Sequence, residues 1–361
     1  MSADPGLASW LQLTLTPGLG AAAIRGLLEQ FGLPENILAA PRAQLERVAG
    51  PAAAALQHSE ETAAAVRNAL RWAESPGHAV VTLADAAYPR LLLEIADPPP
   101  LLYAVGRLDL LGRPSLAIVG SRNATAQGVR NAEQFARAFS AAGLTIVSGM
   151  ALGIDAAAHA GGLAGEGSTI AVLGTGVDVT YPRQNAALAQ RIAQSGLLLS
   201  EFALGSAGAA HHFPRRNRLI SGLAQGCLVV EAALASGSLI TARAAAEQGR
   251  EVFAIPGSIH SPLAKGCHAL LKQGAKLVES AEDVLAELTA FQRTATASAR
   301  APSPPAADEP LLAHMGFDPV DVDSICARAG LAAERVSAEL LRLELAGRVA
   351  ALPGGMYQRL N

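Results

Sequence analysis

Charged side chains are scarce in this chain. Only 16% of its 361 residues are charged and its formal net charge is -3, so the chain as a whole lacks the basicity typical of nucleic-acid binders. It also has only 3 cysteines. Cys227, Cys267 and Cys326 lie far apart without the spacing of metal ligands, so we expect free thiols, a reducing compartment and no bound metal.

Long apolar runs and nucleotide-binding signatures are lacking as well. No apolar stretch reaches the roughly 18 residues of a membrane span, and we recognise no signal peptide, so we expect a cytoplasmic protein without membrane contact. Gly174-Thr175-Gly176 has no third glycine three residues later, and no GxxxxGK[ST] loop occurs. These absences argue against NAD chemistry and ATP hydrolysis, and we expect no cofactor.

The charges that are present are distributed unevenly. Residues 113–278 hold 14 basic against 8 acidic side chains, whereas residues 1–112 and 279–361 are net acidic. This asymmetry predicts an anion-binding surface in the central segment. The alternative is that these arginines only decorate a solvated surface.

The segment His211–Gly222, HHFPRRNRLISG, is the most basic part of the chain. Arg215, Arg216 and Arg218 repel one another unless an anion lies between them, and Phe213 offers a face on which a base can stack. The segment therefore indicates single-stranded nucleic acid. Phe213 is alternatively a core anchor for the helix that follows.

Short apolar runs alternate with alanine-rich helical stretches from Ser115 to Val278. This pattern predicts an α/β domain with a doubly wound, mainly parallel sheet, in which ligands bind beyond the carboxyl ends of the strands. We expect helix amino ends, such as that near Ala126, to point at this edge. Acidic residues near these strand ends are expected to cap helices or hold arginines rather than to catalyse. They are Asp155, Asp178, Glu201 and Glu231.

The two ends of the chain have their own patterns. Residues 1–78 form a small helical module in which Pro17, Gly18 and Gly20 suggest a helix-hairpin-helix or an ordinary helical hairpin. Residues 291–308 are rich in Pro, Ala and Ser and are expected to be a flexible linker. Residues 309–361 are typical of a winged helix, whose acidic balance favours protein contact over groove binding.

Several motifs in order resemble one known family. They include GSRNAT, SGMALGIDAAAH, FPRRNRLISGL and VVEAALASGSLITARAAAEQGREVFAIPG. Together they make residues 79–290 similar to the DNA processing protein A (DprA, Smf) family. The resemblance implies an extended Rossmann-like domain that binds single-stranded DNA without turnover, forms a homodimer, protects incoming DNA and loads the RecA recombinase during natural transformation.

The resemblance also implies where DNA is held. Arginines and backbone N–H groups would bind phosphates, and Phe213 would take a base on its face. The DNA-binding residues implied are Ser121, Arg122, Ser148, Gly149, Phe213, Arg216, Asn217, Arg218, Gly237 and Ser238.

Two other functions stay open from the residues alone. Gly237-Ser238 with Thr241 is distantly and incompletely similar to the loop of lysine decarboxylase-like phosphoribohydrolases, which process nucleotides. The winged helix alternatively makes the protein a transcription regulator. Specific duplex binding that is lost without residues 309–361 would favour the regulator.

Overall fold

A computed structural model describes residues 5–56, 59–288, 310–315, 320–345, 348–352 and 355–359. The chain divides into two compact units, residues 1–291 and 292–361. The first unit contains both the helical module and the α/β domain. The expected linker, residues 291–308, lies outside the described residues.

The helical module is joined to the sheet by a shared apolar core. Its own core gathers Leu13, Ile24 and Leu27 with residues of the following helices. Trp10 and Leu11 instead pack with Tyr103 of the sheet, so the module is one wall of the α/β body. The five helices are α1 (Pro5–Leu15), α2 (Ala21–Phe31), α3 (Pro34–Ala39), α4 (Arg42–Ala49) and α5 (Glu60–Ala73).

A nine-stranded sheet forms the body of this unit. Seven neighbouring strands are parallel, and two antiparallel strands, β1 and β2 below, extend one edge. The order is β1-β2-β6-β5-β4-β3-β7-β8-β9. The strands are β1 (His78–Thr82), β2 (Leu101–Gly106), β3 (Ser115–Gly120), β4 (Thr145–Ser148), β5 (Thr169–Val172), β6 (Leu197–Ser200), β7 (Gly226–Val230), β8 (Glu251–Ala254) and β9 (Lys276–Leu277).

Helices cover both faces of the sheet. Successive residues of each buried strand point to opposite sides, so each strand contributes side chains to a core on either face. In β3, Ala117 and Val119 pack into one core and Leu116 and Ile118 into the other. The predicted doubly wound, mainly parallel α/β fold is therefore confirmed. The helices of this domain include α6 (Arg90–Leu93), α7 (Ala126–Ala141), α8 (Ile154–Gly162), α9 (Ala186–Ser195), α10 (His212–Leu223), α11 (Ser238–Glu247) and α12 (Lys265–Lys272), and residues 281–288 are also helical.

The second unit has winged-helix architecture. Its three-stranded sheet has the order β10-β12-β11, and Asp321 caps the helix that follows β10 by accepting the Ser324 N–H at 2.8 Å. Gly330 ends that helix in the left-handed region, with φ of +65°. The elements are α13 (Pro310–Met315), β10 (Val320–Asp321), α14 (Val322–Ala329), α15 (Ala333–Leu345), β11 (Val349–Leu352) and β12 (Met356–Arg359).

Only some of the apolar residues of α15 lie in the core of the winged helix. Val336, Leu340 and Leu343 are buried, whereas Leu341 is exposed. In neither unit does the described part of the chain include a helix long and apolar enough to cross a membrane.

Candidate nucleic-acid interface

An open cleft lies where the sheet changes direction. From β3 the chain moves outward to β4, β5 and β6 and then crosses back to β7 on the other side of β3. Parallel sheets form a crevice at such a switch point, beyond the carboxyl ends of the strands. Here a cleft of about 720 Å³ is lined by residues that follow β3, β4 and β7 and by the first turns of α10.

The turn after β3 depends on glycine at two positions. A Cβ on Gly120 would lie 1.9 Å from the Val230 carbonyl oxygen, so only glycine fits beside β7. Gly153 has φ of +75°, and a Cβ there would lie 2.4 Å from the Ser121 carbonyl oxygen. This tight packing fixes the backbone of Ser121 and leaves the Arg122 side chain exposed on the cleft.

Arg122 and two aromatic rings form a continuous platform. The Arg122 guanidinium lies 5.8 Å from the centroid of the Phe213 ring, and the Tyr181 ring lies 5.5 Å from Phe213 on a tilted plane. Phe213 is half-buried and packs over Gly174. Phe213 is thus partly an anchor and partly a cleft surface. Tyr181 is 51% exposed.

Tyr181 was not among the predicted site residues; it does not line the cleft itself but lies beside Phe213. Its motif, TYPRQN, follows a predicted strand and contributes to the family resemblance. An aromatic ring next to an arginine at a strand end is the signal that would have identified it.

The three arginines of α10 have internal carboxylate partners, so the expectation that they need an external anion is wrong. Arg215 and Arg218 donate to the same oxygen, Oε2 of Glu201, at 3.0 and 2.6 Å. Asp155 provides a favourable charge for Arg216. Because Glu201 lies only 14 and 17 residues before them at the end of β6, the chain itself supplies their counter-charge.

Arg216 is buried and holds the backbone in place. Its guanidinium donates to the carbonyl oxygens of Gly149 and Val172, and a Cβ on Gly149 would lie within 2.6 Å of it. Burial lowers the pKa of Arg216 to about 10 and raises that of Asp155, while each charge opposes the shift of the other. Arg216 therefore fixes the loop after β4 and presents little charge to the cleft.

Two of the four acidic residues at the strand ends, Glu201 and Glu231, hold arginines or cap a helix as predicted, whereas Asp155 and Asp178 bind backbone N–H groups of loops. Asp155 accepts the N–H groups of Gly149 and Ala151 at 3.2 Å, and Asp178 accepts that of Gly205 at 2.9 Å. The remaining pair, Glu201 and Glu231, holds the arginines of α10 and caps α7 respectively.

The positive end of α7 is not free for an anion. The Glu231 carboxylate accepts the Thr125 N–H at 2.8 Å and occupies the space where a Cβ on Gly128 would lie, 2.4 Å from its Cδ. The expectation that the helix near Ala126 aims a free amino end at a ligand is wrong, because a residue 106 positions away fills that place.

The turn after β7 completes the cleft. Gly237 precedes α11, which begins without a side-chain cap, and the Ser236 and Ser238 hydroxyls lie 2.6 Å apart. Asn217 Nδ2 donates to the Gly237 carbonyl at 3.4 Å, which ties α10 to this turn. Of the predicted site residues, the structure gathers seven in the cleft lining. These are Ser121, Arg122, Phe213, Arg216, Asn217, Gly237 and Ser238.

The other three predicted residues do not line the cleft. Ser148 is fully buried, and its hydroxyl donates to the Ile118 carbonyl at 2.6 Å. Gly149 lies against the Arg216 guanidinium, and Arg218 is held by Glu201. Their positions serve packing and charge balance around the cleft.

A Rossmann-type α/β domain with a cleft at its switch point, together with a winged helix, defines the class of this protein. The profile of the DNA recombination-mediator protein A family matches residues 79–289, and that of the DprA winged helix domain matches residues 295–355. The chain belongs to the DprA/Smf family of DNA recombination mediators.

Individual relatives agree with this assignment. Protein Smf of Escherichia coli is 43% identical over 309 residues, covering 82% of this chain and 81% of that protein. Protein Smf of Synechocystis is 38% identical and covers 98% of both chains. DNA processing protein DprA of Streptococcus pneumoniae is 50% identical over 206 residues, which is 57% of this chain and 73% of that one.

Solved structures show the same fold. The crystal structure of DprA from Streptococcus pneumoniae is 41% identical with a TM-score of 0.67, covering 77% of this chain and 95% of that chain. A structure reporting the single-stranded DNA binding mode of DNA processing protein A from Helicobacter pylori is 32% identical with a TM-score of 0.54. It covers 59% of this chain and 96% of that chain.

Proposed function

We propose that this protein binds single-stranded DNA in the cleft, protects it as it enters the cell, and helps load RecA during natural transformation. The observation that carries the proposal is the platform of Arg122, Phe213 and Tyr181. Within the described residues no carboxylate forms an ion pair with Arg122, so its charge is available to a phosphate. The Helicobacter pylori relative, whose structure reports single-stranded DNA binding, supports the same ligand for this chain.

The chemistry of the cleft favours an unpaired strand over a duplex. Phosphates would be held by Arg122, while unpaired bases stack on the Phe213 and Tyr181 rings. Rings read a base only when its face is exposed, as it is in a single strand. Because the four strand-end carboxylates are engaged in structural contacts, we propose binding without turnover.

A homodimer through the α/β domain fits an exposed apolar surface. Leu234 follows β7 and is 65% exposed, and Ile259 follows the neighbouring strand β8 and is 66% exposed. Because parallel strands end at the same edge, both residues follow strands that end at one edge of the sheet. We propose that a second copy covers them.

Titration with fluorescent oligonucleotides tests the binding proposal. Single-stranded oligonucleotides should bind more tightly than duplexes of equal length, and affinity should fall steeply between two salt concentrations. Phe213→Leu should weaken binding by about 1–3 kcal/mol, since it removes a stacking surface but keeps an apolar anchor.

Phe135→Leu is the matched control, because Phe135 lies on α7 away from the cleft lining. Equal affinity of the Phe213 and Phe135 variants would contradict the platform. Release of free base from a nucleoside monophosphate would instead favour the phosphoribohydrolase alternative.

A further inference from the structure

A second cavity lies between the helical module and the α/β body. Its volume is about 200 Å³, and none of its lining residues is shared with the cleft. The end of α1, the start of α2, the segment 99–101 before and at β2, and the residues after β6 enclose it. Its walls are about equally polar and apolar, and the apolar part includes Leu15, Leu19, Ile24, Leu101 and Phe202.

Two buried polar atoms on side chains that line this cavity have no hydrogen-bond partner among the described residues. The Glu201 side chain is 2% exposed, and both of its arginine partners bind Oε2, so Oε1 accepts no hydrogen bond from the described residues. The Tyr103 hydroxyl is also buried without a partner. Such groups are costly to leave unpaired, so both point to a ligand that offers hydrogen-bonding atoms.

The rim of the cavity carries positive charge. Gly20 and Ala21 line it, and there α2 begins without a side-chain cap, so its first N–H groups are available to an anion. Arg215 also lines the cavity, is 48% exposed, and places its guanidinium 5.6 Å from the centroid of the Phe202 ring. A ligand that matches both the positive rim and the unpaired buried atoms has an anionic end and a planar, hydrogen-bonding end.

We propose that this cavity binds a nucleotide, with its base against Glu201 and Tyr103 and its phosphate toward Arg215 and the amino end of α2. The choice of a nucleotide rests on the proposed function of the cleft. A carboxylate oxygen accepts from an amino group, so guanine, adenine and cytosine are favoured over thymine. The nucleotide is either free in solution or a base of the strand held in the cleft.

The proposal gives the helical module a role without duplex contact. Its glycine turn, with Gly18 at φ of +76°, brings the start of α2 against the body. Phe213 and Arg215 are two residues apart on α10, one lining the cleft and the other the cavity. Side chains two residues apart on a helix point to opposite sides, so a strand that leaves the Phe213 ring would have to pass around α10 to enter the cavity.

Filling the cavity tests the proposal with a matched control. Ala21 lines the cavity and is half-buried, whereas its neighbour Ala22 is exposed and does not line it. Calorimetric titration of the full chain with deoxyguanosine monophosphate should saturate in the wild type and in Ala22→Phe. In Ala21→Phe we expect the affinity to fall at least about tenfold, because the ring occupies the site.

A second variant separates binding from folding. Tyr103→Phe removes one buried, unpaired hydroxyl, so the thermal midpoint should stay equal or rise while affinity for deoxyguanosine monophosphate falls about fivefold. A purely structural role of Tyr103 would leave the nucleotide affinity unchanged. Unchanged affinity in this variant would overturn the proposed contact.

Oligonucleotide titrations distinguish the two sources and the two proposals. If Ala21→Phe weakens oligonucleotide binding relative to Ala22→Phe, the ligand is a base of the bound strand; if only mononucleotide binding is lost, it is a free nucleotide. If neither ligand distinguishes these variants while Arg122→Ala still weakens oligonucleotide binding, the cavity proposal fails and the cleft proposal stands. If Arg122→Ala does not weaken oligonucleotide binding while the cavity still binds the mononucleotide, the cleft proposal fails and the cavity proposal stands.

Discussion

The arginines in and around the cleft have different structural roles. Arg122 is exposed beside an aromatic ring, Arg216 is buried among backbone carbonyls, and the Arg218 side chain is 16% exposed and bound to Glu201. A guanidinium that is both buried and bound to protein acceptors has little to offer a phosphate, whereas an exposed one releases counterions when DNA binds. Charge counting therefore overestimates the anion-binding surface of α10.

Substituting two of these arginines separates the roles. Arg122→Ala should weaken single-strand binding for all sequences and reduce the slope of log affinity against log salt by about 0.7. Arg218→Ala should leave this slope nearly unchanged. It should lower the free energy of unfolding by roughly 2–3 kcal/mol, since the buried Glu201 carboxylate loses one of its two arginine partners. Oligonucleotide titrations and urea unfolding measure the two effects, and an unaltered slope in Arg122→Ala would argue against the cleft.

His159 gives the folded chain a pH dependence. Its Nδ1 lies 2.7 Å from the Thr169 hydroxyl oxygen, and burial lowers the His159 pKa to about 3. Between about pH 6.5 and pH 3 the unfolded chain binds up to one more proton at this residue, so the His159 contribution to stability falls as the pH falls. The raised pKa of Asp155 acts in the opposite direction, because its folded form binds more protons.

Comparison with His159→Gln isolates this contribution. The wild type should lose up to about 1.4 kcal/mol of unfolding free energy per pH unit more than the variant as the pH falls below about 6.5. Urea unfolding at several pH values between 7 and 4 measures the difference. Parallel curves for the two proteins would show that His159 titrates normally.

At the scale of elements, the cleft depends on how the loop after β4 meets α10. Gly149 leaves space for the Arg216 guanidinium, and Arg216 donates to carbonyls at the ends of β4 and β5. Asn217 connects the same helix to the turn before α11. One helix thus aligns three strand ends.

Gly149→Ala should disturb this alignment. The new Cβ would lie 2.6 to 2.8 Å from three atoms of the Arg216 guanidinium, so the guanidinium must move. We expect the free energy of unfolding to fall by about 1–3 kcal/mol and the single-strand affinity to fall without a change in salt slope. Gly112→Ala is the control, because a Cβ there meets nothing within 4 Å; equal effects of both variants would contradict the mechanism.

At the scale of the whole molecule, the two units divide the chemistry. The cleft and the cavity both belong to residues 1–291, while residues 309–361 are net acidic and form a separate winged helix. An acidic surface repels a polyanion, so the winged helix contributes little to strand affinity in our proposal.

Deleting residues 309–361 should therefore change oligonucleotide affinity by less than about twofold at moderate salt, since no phosphate contact is lost. Fluorescence titration of the full chain and the shortened chain at equal protein concentration measures this, with size-exclusion chromatography to confirm an unchanged oligomeric state. A collapse of binding would move the DNA site out of the α/β domain.

The amino-acid sequence by itself determined the sheet, its faces and the edge that holds the cleft, because strand burial and connection rules are local or topological. Runs such as LAIVGS and CLVVEA give buried parallel strands, and the small residues at their ends give the turns around the cleft. Seven of the ten predicted site residues line that cleft as a result.

Only the tertiary structure decided which charges are free. Glu201 pairs with Arg215 and Arg218, Glu231 reaches Thr125 across 106 positions, and Tyr181 meets Phe213 from a different loop. No periodicity in the sequence encodes these pairings, because they depend on side-chain distances that exist only after the strand ends are brought together. The same packing encloses the cavity beneath the helical module.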